Sequence, residues 1–367
     1  MSFYDEYLKY KEFDFENFWE NVTGEDVLRV INKHKLDVYD FLTLLSPAAE
    51  NYFEEIAEKA HQLTLNNFGK AVLLFTPMYL ANYCVNKCAY CGFNYTNHIK
   101  RKKLTMEEIE EEAKRIHDTG LRHILILTGS SRKETPVSYM IDAVKILKKY
   151  FDSISIEVYA LKQEEYNQLS EAGVDGFAMF QETYNEEIYD KVHIAGPKKN
   201  YMFRLDAPER VCKAKMRSVC IGALLGLDDW RKEFFYVGLH AKYLQDKYFD
   251  IDVAVALPRI RSHAGSFTDI HDVNDRNIVQ MILACRVFLP RLGITMTTRE
   301  SAEFKNNLIP LGVNKISAGV STEVGGHTSE ENNDPQFDIV DGRSVDEVRE
   351  GLLEVGYQPV FKDWMKI

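Results

Sequence analysis

The stretch PMYLANYCVNKCAYCGFNYTNHIK, residues 77–100, puts Cys84, Cys88 and Cys91 into eight positions directly after an apolar run. That run, AVLLFTPMYL (71–80), is the first of eight. HILILTGS, SISIEVYAL, GFAMFQETY, SVCIGALLGL, DVAVALPRI, GITMTTRE and NKISAGVS follow, separated by amphipathic segments at 105–118, 136–150, 163–172, 208–216, 230–247, 274–289 and 301–308, with a last one at 344–355. Eight short apolar runs alternating with helical periodicity predict a (β/α)8 TIM barrel. A doubly wound open sheet would carry a Gly-rich phosphate turn after an early strand, and no G-x-G-x-x-G is present. Residues 1–70 read as an N-terminal helical extension, 71–329 as the barrel, and 330–367 as a loop and helix closing it. The segment 322–343, rich in Gly, Asp and Asn, reads as a loop.

The wider chain sets limits. Its formal charge of −11 speaks against nucleic-acid or anionic-membrane binding, which need a dominant positive field. The N-terminus lacks the apolar core of a signal peptide, and no segment has the ~18 apolar residues of a membrane span, so a cytoplasmic protein is expected.

Polar residues gather in the runs or at their C-terminal ends: Thr128, Glu157, Gln181, Glu182, Arg259, Arg299 and Ser317. In a barrel those ends form the catalytic mouth. The three clustered cysteines sit at the same end. Soft thiolates select zinc, Cu(I) or iron–sulfur clusters. A closed zinc site would need a fourth ligand such as His98, and an ordinary [4Fe–4S] site a fourth cysteine. Cys212, Cys220 and Cys285 fall at core-like positions and read as small buried hydrophobes. The basic run KRKK (100–103) reads as a solvated loop, or else as a docking patch for an acidic electron carrier.

The spacing C-x3-C-x2-C with Tyr90 before the last cysteine resembles the radical S-adenosylmethionine superfamily. FQETYNEEIYDKVHIAGPKKNYMFRLDAPER (180–210), IGALLGLDDWR (221–231), PRIR (258–261), TTRES (297–301) and GYQPVFKDW (356–364) extend the resemblance to its tyrosine lyases of thiamine biosynthesis, the 2-iminoacetate synthases. The resemblance implies a [4Fe–4S] cluster on Cys84, Cys88 and Cys91, whose open iron chelates S-adenosylmethionine. A 5′-deoxyadenosyl radical then takes hydrogen from the amino group of L-tyrosine, and the Cα–Cβ bond breaks to 2-iminoacetate and p-cresol.

The same resemblance implies that Tyr79, Arg299 and Ser317 contact the substrate, with Arg299 holding its carboxylate. Thr128, Gly129, Ser130, Glu157, Gln181, Glu182 and Arg204 are expected around the cofactor's methionine and ribose, and Tyr90, Phe93 and Leu225 near its adenine. It implies a thiazole synthase as recipient of the imine and a flavodoxin or ferredoxin as electron donor. Two residues depart from the usual pattern: Ser130 replaces an acidic residue, and His327 replaces the tyrosine of Gly-Gly-Tyr. A relative that makes CO and cyanide uses further C-terminal cysteines, and this sequence has none after Cys285. A tryptophan lyase, or a zinc or electron-carrier protein, are the other readings.

Overall fold

The computed structural model describes residues 2–265, 267–328 and 334–362. Residues 329–333 of the predicted loop and the end of the closing motif, 363–367, lie outside the described residues.

Each apolar run forms a strand: Ala71–Ala81, His123–Thr128, Ser153–Glu157, Gly176–Glu182, Ser218–Ala223, Asp252–Ala256, Gly293–Met296 and Lys315–Ser317. They pair in parallel in chain order, and the eighth returns to the first through Leu73↔Lys315 and Phe75↔Ser317. The sheet is a closed barrel with no free edge among these strands. Near-continuous apolar sequence suits this position, because one strand face meets helices and the other fills the interior. Residues 74–81 of the first strand are all buried.

The helices between strands begin where the sequence marks them. Thr105, Asn274 and Ser344 each accept a bond from the third helical N–H, and Glu108, Asn277 and Glu347 answer back to the cap. The N-terminal helices Phe3–Leu8 through Phe53–Phe68 pack on Trp230–Lys247 and Asp275–Phe288. Phe3 stacks on His240 with ring centres 3.8 Å apart, and Gln280 donates to the carbonyls of Leu44 (3.0 Å) and Ser46 (2.8 Å). The extension shares one hydrophobic core with the barrel. Each buried aromatic there contributes roughly 1.5–3 kcal/mol.

Two pairings are absent from the sequence reading. Lys87–Cys88 pairs antiparallel with His193–Ala195, and Gln358–Val360 adds a parallel strand beside Ala71–Leu73. Pieces of two or three residues are too short to show a period.

The C-terminal segment crosses the barrel mouth before reaching its helix, Val345–Glu354. Gln336 N donates to Thr322 O (3.1 Å), Asp338 N to Ser262 O (3.0 Å) and Val340 N to Thr298 O (2.8 Å). Backbone bonds therefore tie it to the loops after the sixth, seventh and eighth strands.

Candidate active site

A cavity of about 250 Å³ occupies the barrel interior and reaches the cysteine loop. Cys84, Cys88 and Cys91 all face it. No three His, Cys, Asp or Glu side chains among the described residues converge on one metal ion, and His98 is exposed. Burial pushes the Cys88 thiol up to about 12 and also raises Cys91. Such thiols give up their protons only to a bound cation, as iron ligation supplies. The donor set fits a cluster with one thiolate per iron.

Two devices hold this loop. Arg101 donates to the carbonyls of Asn82 (2.7 Å), Phe93 (3.0 Å), Asn94 (2.7 Å) and Asn97 (3.4 Å). The KRKK run is therefore not a uniformly solvated loop. Arg101 is turned inward, while Lys102 lies 3.7 Å from Glu108 and Lys103 3.8 Å from Glu134. Arg101→Ala should leave several partly buried carbonyls short of a donor, at about 1–3 kcal/mol each. We expect reduced iron and sulfide per chain after reconstitution and a lower melting temperature. Arg101→Lys should rescue little, because an ammonium cannot span the fork.

The second device is the antiparallel strap. Tyr90 and His193 Nε2 are 2.7 Å apart, and His193 Nδ1 is 2.8 Å from Tyr189 O. Burial takes the His193 pKa down to about 3, so the ring is neutral. Its Nδ1–H must donate to the carbonyl, leaving Nε2 to accept from the Tyr90 hydroxyl. The Tyr90 ring faces the cavity while its hydroxyl anchors the loop.

Beside the cysteines, Gly129 approaches the backbone so closely that a Cβ would lie 2.3 Å from Tyr83 O. Thr128, Gly129 and Ser130 line the cavity there, and Ser130 O accepts from Val85 N at 2.9 Å. Glu182 accepts from Lys198 (2.7 Å) and Arg204 (2.9 Å). Burial alone would raise its pKa, but these two cations outweigh burial and lower it. Glu182 has φ 76°, and the pairing register shifts between Phe180 and Glu182. Left-handed backbone in a non-glycine residue is strained and is concentrated at functional sites.

Gln181, Leu225 and Arg259 do not line the cavity. Strand alternation sends Phe180 and Glu182 inward and Gln181 outward, toward a small void beside His240. By the same alternation Leu224 faces the cavity, whereas Leu225 is buried in the core. Arg259 pairs with Glu300 and with Asp275 (2.8 Å). Cys220 corrects a different expectation, because it faces the barrel interior. It lies in the fifth strand, away from the cysteine loop, and burial raises its thiol to about 12. His327 lies outside the cavity lining; its N–H donates to Glu112 (3.1 Å) and its Nε2 is 3.0 Å from Pro77 O.

On the far side of the cavity Arg299 has no acidic partner among the described residues. It donates to Arg259 O (3.2 Å), and its guanidinium lies 3.5 Å over the Phe337 ring. Burial lowers its pKa. A buried guanidinium without a carboxylate is costly unless an anion joins it. Tyr79, Phe93 and Ser317 line the same cavity. The hydroxyls of Ser317 and Thr128 are buried without a partner, so both retain bonding capacity for a ligand.

Glu157 lies between the two ends, its accessible surface turned to the cavity. Burial first, and then the negative Glu182, raise its pKa to about 7. Between the ordinary carboxylate pKa and 7 the folded ligand-free chain binds more protons here than the unfolded chain. Its contribution to stability therefore falls as pH rises through that window and levels off above it. Glu157→Gln should flatten this part of a melting-temperature profile and gain a few degrees at pH 7; an unchanged profile would show that the carboxyl is not strained.

Gln336, Phe337, Arg101 and Lys198 escaped the sequence reading. Lys198 lies within the quoted resemblance and Arg101 within the KRKK run, but neither is singled out there.

Comparison with known proteins agrees with this geometry. The Radical SAM superfamily model matches residues 78–235, and the Biotin and Thiamin Synthesis associated domain matches 256–358. The chain is 35% identical to 2-iminoacetate synthase of Escherichia coli (strain K12), over 97% of this chain and 96% of that protein. It is 37% identical to 2-iminoacetate synthase of Salmonella typhimurium, over 93% and 91%. The X-ray structure of the FeFe-hydrogenase maturase HydG from Carboxydothermus hydrogenoformans superposes with a TM-score of 0.87 at 29% identity, covering 95% of this chain and 83% of that one. The full-length match, the cysteine loop and the closed barrel agree: this chain belongs to the 2-iminoacetate synthase family of the radical S-adenosylmethionine superfamily.

Proposed function

We propose that this protein is a tyrosine lyase, cleaving the Cα–Cβ bond of L-tyrosine to 2-iminoacetate and p-cresol for thiazole formation in thiamine biosynthesis. The observation that carries the reading is one cavity with a three-thiol loop at one side and, at another, an arginine that has no acidic partner among the described residues. When bound, the [4Fe–4S] cluster and S-adenosylmethionine supply the 5′-deoxyadenosyl radical that abstracts hydrogen, leaving methionine and 5′-deoxyadenosine. Cys84, Cys88 and Cys91 hold the cluster.

Thr128, Gly129 and Ser130 receive the cofactor's amino end, and Arg204, steadied by Glu182, faces its carboxylate. Glu157 and Glu182 accept from amino and ribose groups, while Phe93 and Leu224 flank adenine. Arg299 grips the tyrosine carboxylate through its fork, and Ser317 and Tyr79 orient the amino acid. The barrel wall and the C-terminal segment keep water from the radical.

The imine passes to a thiazole synthase. No described helix is long and apolar enough to cross a membrane, and we place the reaction in the cytoplasm. An acidic flavodoxin or ferredoxin delivers the electron. Val85, Tyr95 and Ile194, exposed by 45%, 62% and 59%, surround the cysteine loop and offer it an apolar contact beside Lys87. Anaerobic reconstitution tests the reading. About four irons and four sulfides per chain, with 5′-deoxyadenosine formation stimulated by tyrosine, support it; a colourless protein holding one zinc defeats it.

A further inference from the structure

Gln336 belongs to the segment that crosses the barrel mouth, and no motif of the sequence singles it out. Its main-chain carbonyl lies directly over the cysteine loop: a Cβ on Gly92 would come within 2.5 Å of Gln336 O. Only a glycine at 92 permits this approach. The side chain spans the gap between the two ends of the cavity. Gln336 Oε1 accepts from the Tyr79 hydroxyl at 2.7 Å, and Nε2 lies 4.0 Å from Cys91 Sγ. This amide orientation is the one that suits a metal-bound thiolate, which can only accept; the flipped amide would set oxygen lone pairs against sulfur. The neighbouring residue, Phe337, places its ring under Arg299. Two consecutive residues thus touch a cysteine of the loop, a tyrosine of the substrate end and the carboxylate anchor.

We propose that Gln336 is a positioning residue that couples the amino-acid end of the cavity to the cluster, its amide holding Tyr79 on one side and donating to Cys91 Sγ on the other. The proposal rests on the tyrosine-lyase reading of the cavity. Hydrogen bonds to cluster-bound sulfur favour the more negative, reduced form. The Oε1 contact fixes where the Tyr79 hydroxyl stands before tyrosine arrives. Loss of either should let cofactor cleavage run without substrate cleavage.

Three measurements on Gln336→Leu, Gln336→Glu and the unaltered protein test this. They are tyrosine affinity by calorimetry, the midpoint potential of the reconstituted cluster, and the ratio of 5′-deoxyadenosine to p-cresol. Gln336→Leu should weaken tyrosine binding about fivefold, the worth of one hydrogen bond. It should also shift the potential to more negative values and raise the ratio. Gln336→Glu retains an acceptor for Tyr79 but no donor for Cys91, so the potential should move while tyrosine binding changes less. Tyr79→Phe should do the reverse.

If Gln336→Leu fails to fold, Gln336→Met, similar in length and without a donor, carries the same expectation. Unchanged affinity and potential in a folded, cluster-loaded variant would overturn the proposal. Failure of the unaltered protein to form p-cresol would instead defeat the lyase reading.

Discussion

Replacing Cys84, Cys88 or Cys91 with alanine should give a protein that assembles no [4Fe–4S] cluster and forms no 5′-deoxyadenosine. Each thiol opens onto the cavity, and none of the other three cysteines belongs to the loop. Cys212 and Cys285 are buried in the hydrophobic core. Cys212→Ala and Cys285→Ala should keep a full cluster and lose only packing, on the order of 1 kcal/mol. Cys220→Ala is the sharper control, because Cys220 faces the same cavity. It pairs in register with Ala178 and Ala254, well below the mouth. Iron content and the visible spectrum decide the matter: loss of the cluster in Cys220→Ala would show that the three-thiol loop is not the whole ligand set.

Arg299→Ala should abolish p-cresol formation while slow cleavage of S-adenosylmethionine continues. Arg299 has no acidic partner among the described residues and stacks on Phe337, so its fork is oriented before any substrate arrives. Removing one partner of a buried charge pair costs about 2–5 kcal/mol of binding, equivalent to roughly thirtyfold or more in tyrosine affinity. The contacts proposed for the cofactor, through Arg204 in the helix Tyr201–Leu205 and the Thr128–Ser130 turn after the second strand, stand on other elements and should be little changed. Arg299→Lys should recover little, since an ammonium neither stacks nor binds bidentately. Tyrosine-dependent p-cresol formation at the original rate would show that the carboxylate is held elsewhere.

The parts of this site legible in sequence are those whose chemistry is local. The cysteine spacing is contained in eight residues, and each strand announces itself through a short stretch rich in apolar positions. Thr128, Glu157, Glu182, Arg299 and Ser317 could be placed because barrel strands end at the mouth.

What escaped depends on one-residue phase or on contacts distant in the chain. Gln181 and Glu182 are neighbours, yet the alternation at a register shift sends one to the helices and the other to the cavity. Leu224 and Leu225 differ in the same way. Arg101 lies within a run of four cations, and nothing in that run distinguishes the one that turns inward to four carbonyls. Gln336 meets Tyr79 across 257 positions, a contact that neither period nor motif encodes.

The decisive measurement for tyrosine cleavage is the product balance with L-tyrosine, S-adenosylmethionine and a reductant under anaerobic conditions. p-Cresol and 2-iminoacetate, the latter decaying to glyoxylate in water, should appear in equal amounts. No CO should be trapped on deoxyhaemoglobin, because the proposed lyase reaction stops at the imine. Stoichiometric CO, or indole products from tryptophan with no p-cresol from tyrosine, would contradict it.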